Sequence, residues 1–362
     1  MQNARAGLQV SDAVDELLSW EALTTVATVD ATPEEVYDYL LRAGAGSGRE
    51  PSMDAARLLA DLELTVSVGD PEGETRMKDI GPDDPLNSAM TVNFGGRDIA
   101  GVKMLNGHAY ARVGGQAIVE DVYGGDEAAV ARAERFDRDA ARLPAALATA
   151  ELALRGEWVE VEPFAYEAYA EALNEHGDVD PATAEALAGV LTDGGAMLDP
   201  GAQWDLAGGL ESTLRSGGSL RRTGEAHGAD TVEVHLPAGE AYRALGPVLT
   251  LLTEQCERFG LPPVVSAPAD PSAEVTAELA IRNGVLTNAT FDLGQFGPEG
   301  AGSLPLNLFL AGGSALNLDP PETTTGPLTP ADLTVALLYL AEQNESRAED
   351  ESRADVPGPI QP

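Results

Sequence analysis

Residues 102–113 read VKMLNGHAYARV, and the same design returns at residues 278–293 as ELAIRNGVLTNATFDL. Each is an apolar run split by Asn-Gly. A two-residue type I′ turn needs positive φ at both central positions, which Asn tolerates and Gly adopts freely. Asn106-Gly107 and Asn283-Gly284 therefore each predict a tight antiparallel hairpin. Around the first turn Val102 and Met104 alternate with Lys103, and Ala109 and Ala111 with His108, Tyr110 and Arg112. Around the second, Leu279 and Ile281 alternate with Ala280 and Arg282. Period two with one apolar face predicts a sheet covered on one side only. Neither hairpin places a nucleophile beside a base. They are scaffold.

Outward from the hairpins the chain reads as further strands interrupted by helical stretches. DAVDELLSWEAL (12–23) predicts a helix running into a strand around LTTVATVDA. TPEEVYDYLLRAG (32–44) carries the signs of a capped helix: Thr32 at the N-cap, Pro33 in the first turn, Glu35 three residues on and Gly44 after the end. A helix over MDAARLLADL follows, then strands at 64–70 and 89–96 joined by the polar loop DPEGETRMKDIGPDDP. Residues 126–154 predict helix with a break at Pro144. GEWVEVEP (156–163) and DTVEVHLP (230–237) predict strands, and everything between those two reads as helical. A helix over 238–260 leads through a Pro-rich connector to the second hairpin. LPLNLFLAGGSALNLDPP predicts one more strand pair.

Helical and strand stretches in this order predict an α+β fold rather than βαβ units. The expected organisation is a helical lead-in at 1–20, a sheet domain over 21–325 with helical insertions at 126–154, 164–216 and 238–260, and a C-terminal helix over 326–343. A disordered acidic tail is expected over 344–362.

Composition excludes whole classes of function. With 60 acidic against 22 basic residues the 362-residue chain carries a formal net charge of −38. Phosphate binding needs a clustered positive surface, so nucleic acid is not a partner. Anionic membrane surfaces repel such a chain as well. Lysine occurs only at Lys78 and Lys103, with Arg supplying the other positive charges. Salt adaptation and GC-biased codon usage both produce this balance. Cys256 is the only cysteine, so no intrachain disulfide forms. It falls in an amphipathic stretch and reads as a small core hydrophobe. No run approaches the ~18 apolar residues of a membrane span.

The succession LTVSV, IAGVKMLNGHAYARV, GEWVEV, DTVEVHLPAGEAYRAL, AELAIRNGVLTNATFDL and a closing LNLDPP resembles actinobacterial surface lipoproteins of the LolA/LppX-like kind. The resemblance covers residues 20–321 and rests on the order of elements. It implies a curved antiparallel sheet, a half-barrel, covered by helical insertions. It implies also a non-enzymatic carrier of a lipid or other apolar ligand, held between sheet and helices at the outer face of a membrane. The family's anchor is a lipid on a cysteine after a signal segment. Cys256 does not stand in that place, so the resemblance implies an anchor ahead of this numbering, or a cytoplasmic protein if Met1 is the native start. The family lends no catalytic residue.

Residue by residue, chemistry is sparse. His108, His176, His227 and His235 share no i, i+4 spacing for a metal, and a solvated or hydrogen-bonded role is the expectation. GGSAL (312–316) lacks the closing glycine of a nucleophile elbow. GGRDIAG and AGGLESTLRSGG lack the order and terminal Lys-Ser/Thr of a phosphate loop. Asp79, Asp83 and Asp84, and Asp178 with Asp180, lack the calcium-loop pattern and read as solvated surface. Aromatic residues make up 5%, too few for a stacking platform, and Trp158 reads as a core or rim side chain. The expectation is therefore no catalytic residue, no metal, no cofactor and no enzyme activity. The small side chains Ala89, Ala100, Ala109, Ala111 and Ala280 are expected on the inner face, leaving room for a ligand or for docked helices. The competing reading is a structural or protein-interaction module of the cell envelope with no ligand cavity.

Overall fold

A computed structural model describes residues 2–45, 50–81, 84–122, 127–162, 165–177, 218–226, 228–258, 261–262, 264–297, 300–321 and 326–354, with single residues and pairs between 181 and 198. The expected helices over 181–192 and 200–216 fall largely outside the described residues. The chain forms two compact units. One is Met1–Ala109 with Val190–Pro320, the other Tyr110–Gly189 with Pro321–Pro362.

Among the described residues the first unit holds nine of the eleven strands: β1 (Ala22–Val29), β2 (Leu62–Gly69), β3 (Asn87–Phe94), β4 (Arg97–Leu105), β7 (Ser219–Ala226), β8 (Ala229–Pro237), β9 (Glu274–Arg282), β10 (Val285–Asp292) and β11 (Pro305–Gly312). Their order is β4-β3-β2-β1-β11-β10-β9-β8-β7. Neighbours pair antiparallel throughout. The α+β class expected from the sequence is the one observed. In the middle of the sheet β1 pairs with β11, Thr25 opposite Leu310.

Both Asn-Gly turns take the conformation their residues favour. Asn106 and Gly107 have φ of 52° and 80°, and Asn283 and Gly284 have 52° and 82°. Positive φ at both positions is the type I′ requirement.

Among the described residues the helices of this unit include α1 (Gln2–Leu17), α2 (Pro33–Ala43), α3 (Met53–Asp61), α7 (Ala238–Ala244) and α8 (Gly246–Arg258). The capping box of α2 is formed. Glu35 N donates to Thr32 Oγ1 at 3.3 Å, and Thr32 N donates to Glu35 Oε2 at 2.9 Å. Buried Val36, Tyr39, Leu40 and Ala43 repeat at helical spacing and put one face of α2 into the core. There they meet Ala56 of α3, Ala238 and Ala241 of α7, Leu249 and Cys256 of α8, and Phe296. Cys256 is buried among these hydrophobes, as read from the sequence.

The second unit carries β6 (Val159–Val161), most of β5 (His108–Val113), and helices α4 (Glu127–Ala140), α5 (Ala148–Leu154), α6 (Tyr166–His176) and α9 (Pro330–Ala354). The break between α4 and α5 contains Pro144, as expected. Tyr169 of α6 donates its hydroxyl to Leu328 O at 2.6 Å, and Leu328 N donates to Glu160 O at 2.8 Å. No helix among the described residues is long and apolar enough to cross a membrane.

Four expectations need correction. The stretch between 163 and 230 is not all helical, because SLRRTGEA forms β7. It is a terminal strand of the sheet order, held by backbone pairing to β8 and bulged between Arg222 and Gly224. Charged residues and a bulge keep such an edge from recruiting another strand. Residues 305–319 do not make a strand pair. Only β11 forms, and Gly313–Asp319 runs on as a strap over β1–β4.

The sheet is not covered on one side only. In β3 Asn87–Thr91 and in β4 Ile99–Lys103 are buried without alternation. The strap explains much of this on the polar face, and it is gripped by side chains. Thr24 Oγ1 donates to Gly313 O (2.9 Å) and accepts from Ala315 N (2.8 Å). Leu316 N donates to Ser67 Oγ (3.2 Å), Lys103 Nζ to Asn317 O (2.8 Å), and Asn87 Nδ2 to Leu318 O (3.2 Å). Lys103, which alternates with Val102 and Met104 and so lies on the face expected to be uncovered, is thus 6% exposed. Lastly, α9 runs to Ala354, past residue 343, with Ser346 Oγ donating back to Glu342 O at 2.9 Å.

Lys103→Met keeps the apolar stem but removes the charged donor that bonds the Asn317 carbonyl. Such losses cost about 1–3 kcal/mol. Urea unfolding should show that loss, and limited proteolysis should cut first within residues 313–320.

Candidate functional site

Antiparallel partners share a face of a sheet, so the register sorts every side chain. On one face a single row crosses eight strands. It starts at Val232 on β8 and passes through Leu279, Ala289, Leu308, Ala27 and Leu64 to Val92 and Ala100. All eight side chains are apolar. Strand spacing of about 4.8 Å makes the row about 34 Å long. Val232 and Ala100 at its ends are buried, while the six between them are only half-buried.

The row runs between packed clusters on the same face. At one end of the strands, Ala6, Val10, Ala13 and Leu17 of α1 pack with Val232, Ile281 and Leu286, and reach Leu23, Leu279 and Leu310. At the other end the core of α2, α3, α7 and α8 takes in Val29, Leu306 and Phe291. Leu198 packs with Met90 and Val102 beside Leu64 and Val66. Alanines stand on either side of Leu308 in the row. A short side chain there leaves more depth above the sheet than Leu or Phe would.

The opposite face is polar. Thr24, Ser67, Ala89 and Lys103 form one of its rows, under the strap. Thr290 Oγ1 donates to Asn307 Oδ1 at 2.7 Å on the same face farther along. The two faces therefore differ: one carries the apolar row, and the other carries hydroxyls and amides, with Val26 opposite Phe309 among them.

Charge enters the apolar face at the β7–β8 edge. Gln9 Nε2 of α1 donates to Asp230 Oδ2 at 2.7 Å, and Arg222 pairs with the other carboxylate oxygen. The Arg222 hydrogen bond holds the Asp230 carboxyl below the usual carboxylate range; partial burial opposes the shift and Gln9 adds to it.

The sequence-selected residues do not converge. His108 opens β5 just after the turn, His176 closes α6, and His235 lies on β8 between two carboxylates; His227 lies outside the described residues. Asp79 ends a short 3-10 turn and Asp84 accepts from Gly81 N, while Asp83, Asp178 and Asp180 lie outside the described residues. Ser314 of GGSAL donates to Leu316 O within the strap. Trp158 is half-buried just ahead of β6. Among the described residues no three His, Cys, Asp or Glu side chains are grouped to hold a metal. Of the small residues expected on the inner face, Ala100 lies in the apolar row, whereas Ala89 and Ala280 point to the polar face. Ala109 and Ala111 are buried.

No family model and no curated protein matches the chain. Solved mycobacterial structures do. The lipoprotein LppX of Mycobacterium tuberculosis is 11% identical, with 88% of this chain aligned to 100% of LppX at a TM-score of 0.34. LprF from Mycobacterium bovis is 10% identical, with 88% of this chain aligned to 97% of LprF at 0.33. LppX is of the kind that the order of strands and turns resembles.

Proposed function

We propose that the chain is a non-enzymatic carrier that holds a lipid or other apolar ligand along the row from Leu279 to Val92, between the sheet and its helices. The observation that carries this reading is the row itself: six apolar side chains in sequence across the sheet, none of them fully buried. Removing apolar area from water yields about 25 cal/mol per Å², so a hydrocarbon chain laid along such a row binds without directional contacts. Ligand sites of this class need an apolar wall with few polar groups, and the sparse chemistry of the chain suits them. The same reading has the carrier work outside the cytoplasm, attached to a membrane by a lipid ahead of this numbering.

Delipidated protein titrated with a fluorescent fatty-acid or phospholipid probe tests the proposal. The parent chain is expected to take up probe. Leu308→Glu, which sets a charge in the row, and Ala27→Phe, which fills it, should each weaken uptake about tenfold or more. That is the scale of losing 1.4 kcal/mol of binding. Circular dichroism of each variant checks that the fold is kept. No uptake by the parent, or equal uptake by both folded variants, would overturn it. Turnover of an ester or glycoside lost on one Asp or Glu substitution would replace it with an enzyme.

A further inference from the structure

His235 lies on β8 opposite Ser219 of β7 and Thr276 of β9. Its ring is contacted on both sides: Nδ1 is 2.9 Å from Glu274 Oε1 and Nε2 is 3.1 Å from Glu233 Oε2. The charged groups around it are Glu233 on its own strand, Arg221 of β7 paired with Glu233, and Glu274 and Glu278 of β9. The side chain of His235 is 17% exposed.

A neutral imidazole has one N–H and one lone pair, whereas an imidazolium donates from both nitrogens. Both neighbours are carboxylates and can only accept. The protonated ring satisfies both contacts; the neutral ring turns a lone pair toward one of them. Two residues further on, β8 ends and α7 begins. Ala238 N donates to Ala273 O at 2.7 Å and Gly239 N to Pro271 O at 2.9 Å. The segment 271–274 thus meets the root of α7 through its backbone, the Pro237–Glu274 pairing included, and meets the His235 ring through the Glu274 side chain, which is 67% exposed.

We propose that His235 is a pH-operated clip at the root of α7, closed when the ring is protonated and half-released when it is neutral. Histidine is the side chain whose ordinary charge change falls between about pH 5 and 8. The device is independent of the carrier reading.

Hydrogen exchange on the full chain tests it, with the Ala238 and Gly239 amides followed from about pH 5.5 to 8 and corrected for intrinsic rates. Protection at these two amides should fall about two- to five-fold as pH rises, the size expected of a partly exposed ion pair. His235→Gln and Glu274→Gln should each remove that pH dependence. In both variants the Val36 amide, bonded to Thr32 O, should keep its protection and report that the fold is intact. Protection at Ala238 and Gly239 that is flat with pH in the parent chain, or an unchanged fall in His235→Gln, would overturn the clip.

Discussion

Gly294→Ala is expected to cost about 3–5 kcal/mol, the range of the most damaging single substitutions. A Cβ at this position would lie 2.1 Å from Gly302 O, 3.1 Å from Gly302 C and 2.9 Å from Asp292 Oδ1. The two closest approaches are to groups that cannot easily give way. Asp292 Oδ1 accepts from both Gly294 N and Leu304 N at 2.8 Å, which locks the turn Leu293–Phe296 to the start of β11. Gln295 clamps the same turn to β9, accepting from Thr276 N at 2.6 Å and donating to Thr276 O at 2.8 Å. Relief of the clash therefore means pulling Phe296, 1% exposed, away from Phe291 and Tyr242. Urea denaturation of parent and variant measures the loss. A difference under about 1 kcal/mol would mean that the turn shifts aside without disturbing the ring cluster.

Tyr39→Ala is the second large effect, about 3–5 kcal/mol for emptying a buried aromatic site. Tyr39 is 1% exposed and donates its hydroxyl to Val264 O at 2.5 Å. Tyr39→Phe loses only that hydrogen bond, about 1 kcal/mol. The pair of variants separates packing from polarity. Alkaline pH adds a third reading. Burial, with smaller contributions from the charges of Asp292 and Cys256, pushes the Tyr39 hydroxyl up to about 12. An unfolded tyrosine ionises near 10. The folded state thus keeps its proton where the unfolded state gives it up. The contribution is full below about pH 10 and fades as pH rises from there through the folded value. Stability followed from about pH 9 to 11.5 should fall less steeply in Tyr39→Phe than in the parent. Parallel curves would refute this account of the burial.

How much of this is legible in the residues depends on the range of the interaction. The two hairpins and the capped helix are legible because Asn-Gly and Thr-Pro-Glu-Glu act within four residues of themselves. The strand SLRRTGEA is not, since its backbone pairing to β8 leaves no apolar alternation to read. Lys103 misleads for a related reason. Alternation in VKML puts it opposite Val102 and Met104, and only the arrival of Asn317 from far along the chain turns that outward face into an interior. The apolar row needs a register across eight strands, and bulges at Val92/Asn93 and Leu286/Asn288 shift the count. Ala89 and Ala280 need no such count: Ala280 alternates with Leu279 and Ile281, and Ala89 pairs with Lys103, so both fall on the face opposite the row.

The central seam has a consequence for the life of the chain. β1 is made long before its partner β11, so the pairing of Thr25 with Leu310 closes a loop of about 285 residues. Closure of so long a loop is entropically costly and slow. During synthesis the amino-terminal strands emerge with one margin unsealed and their hydrocarbon side bare to water, and they stay so until the last strand has cleared the ribosome. Such a nascent chain is a natural client for a holding chaperone.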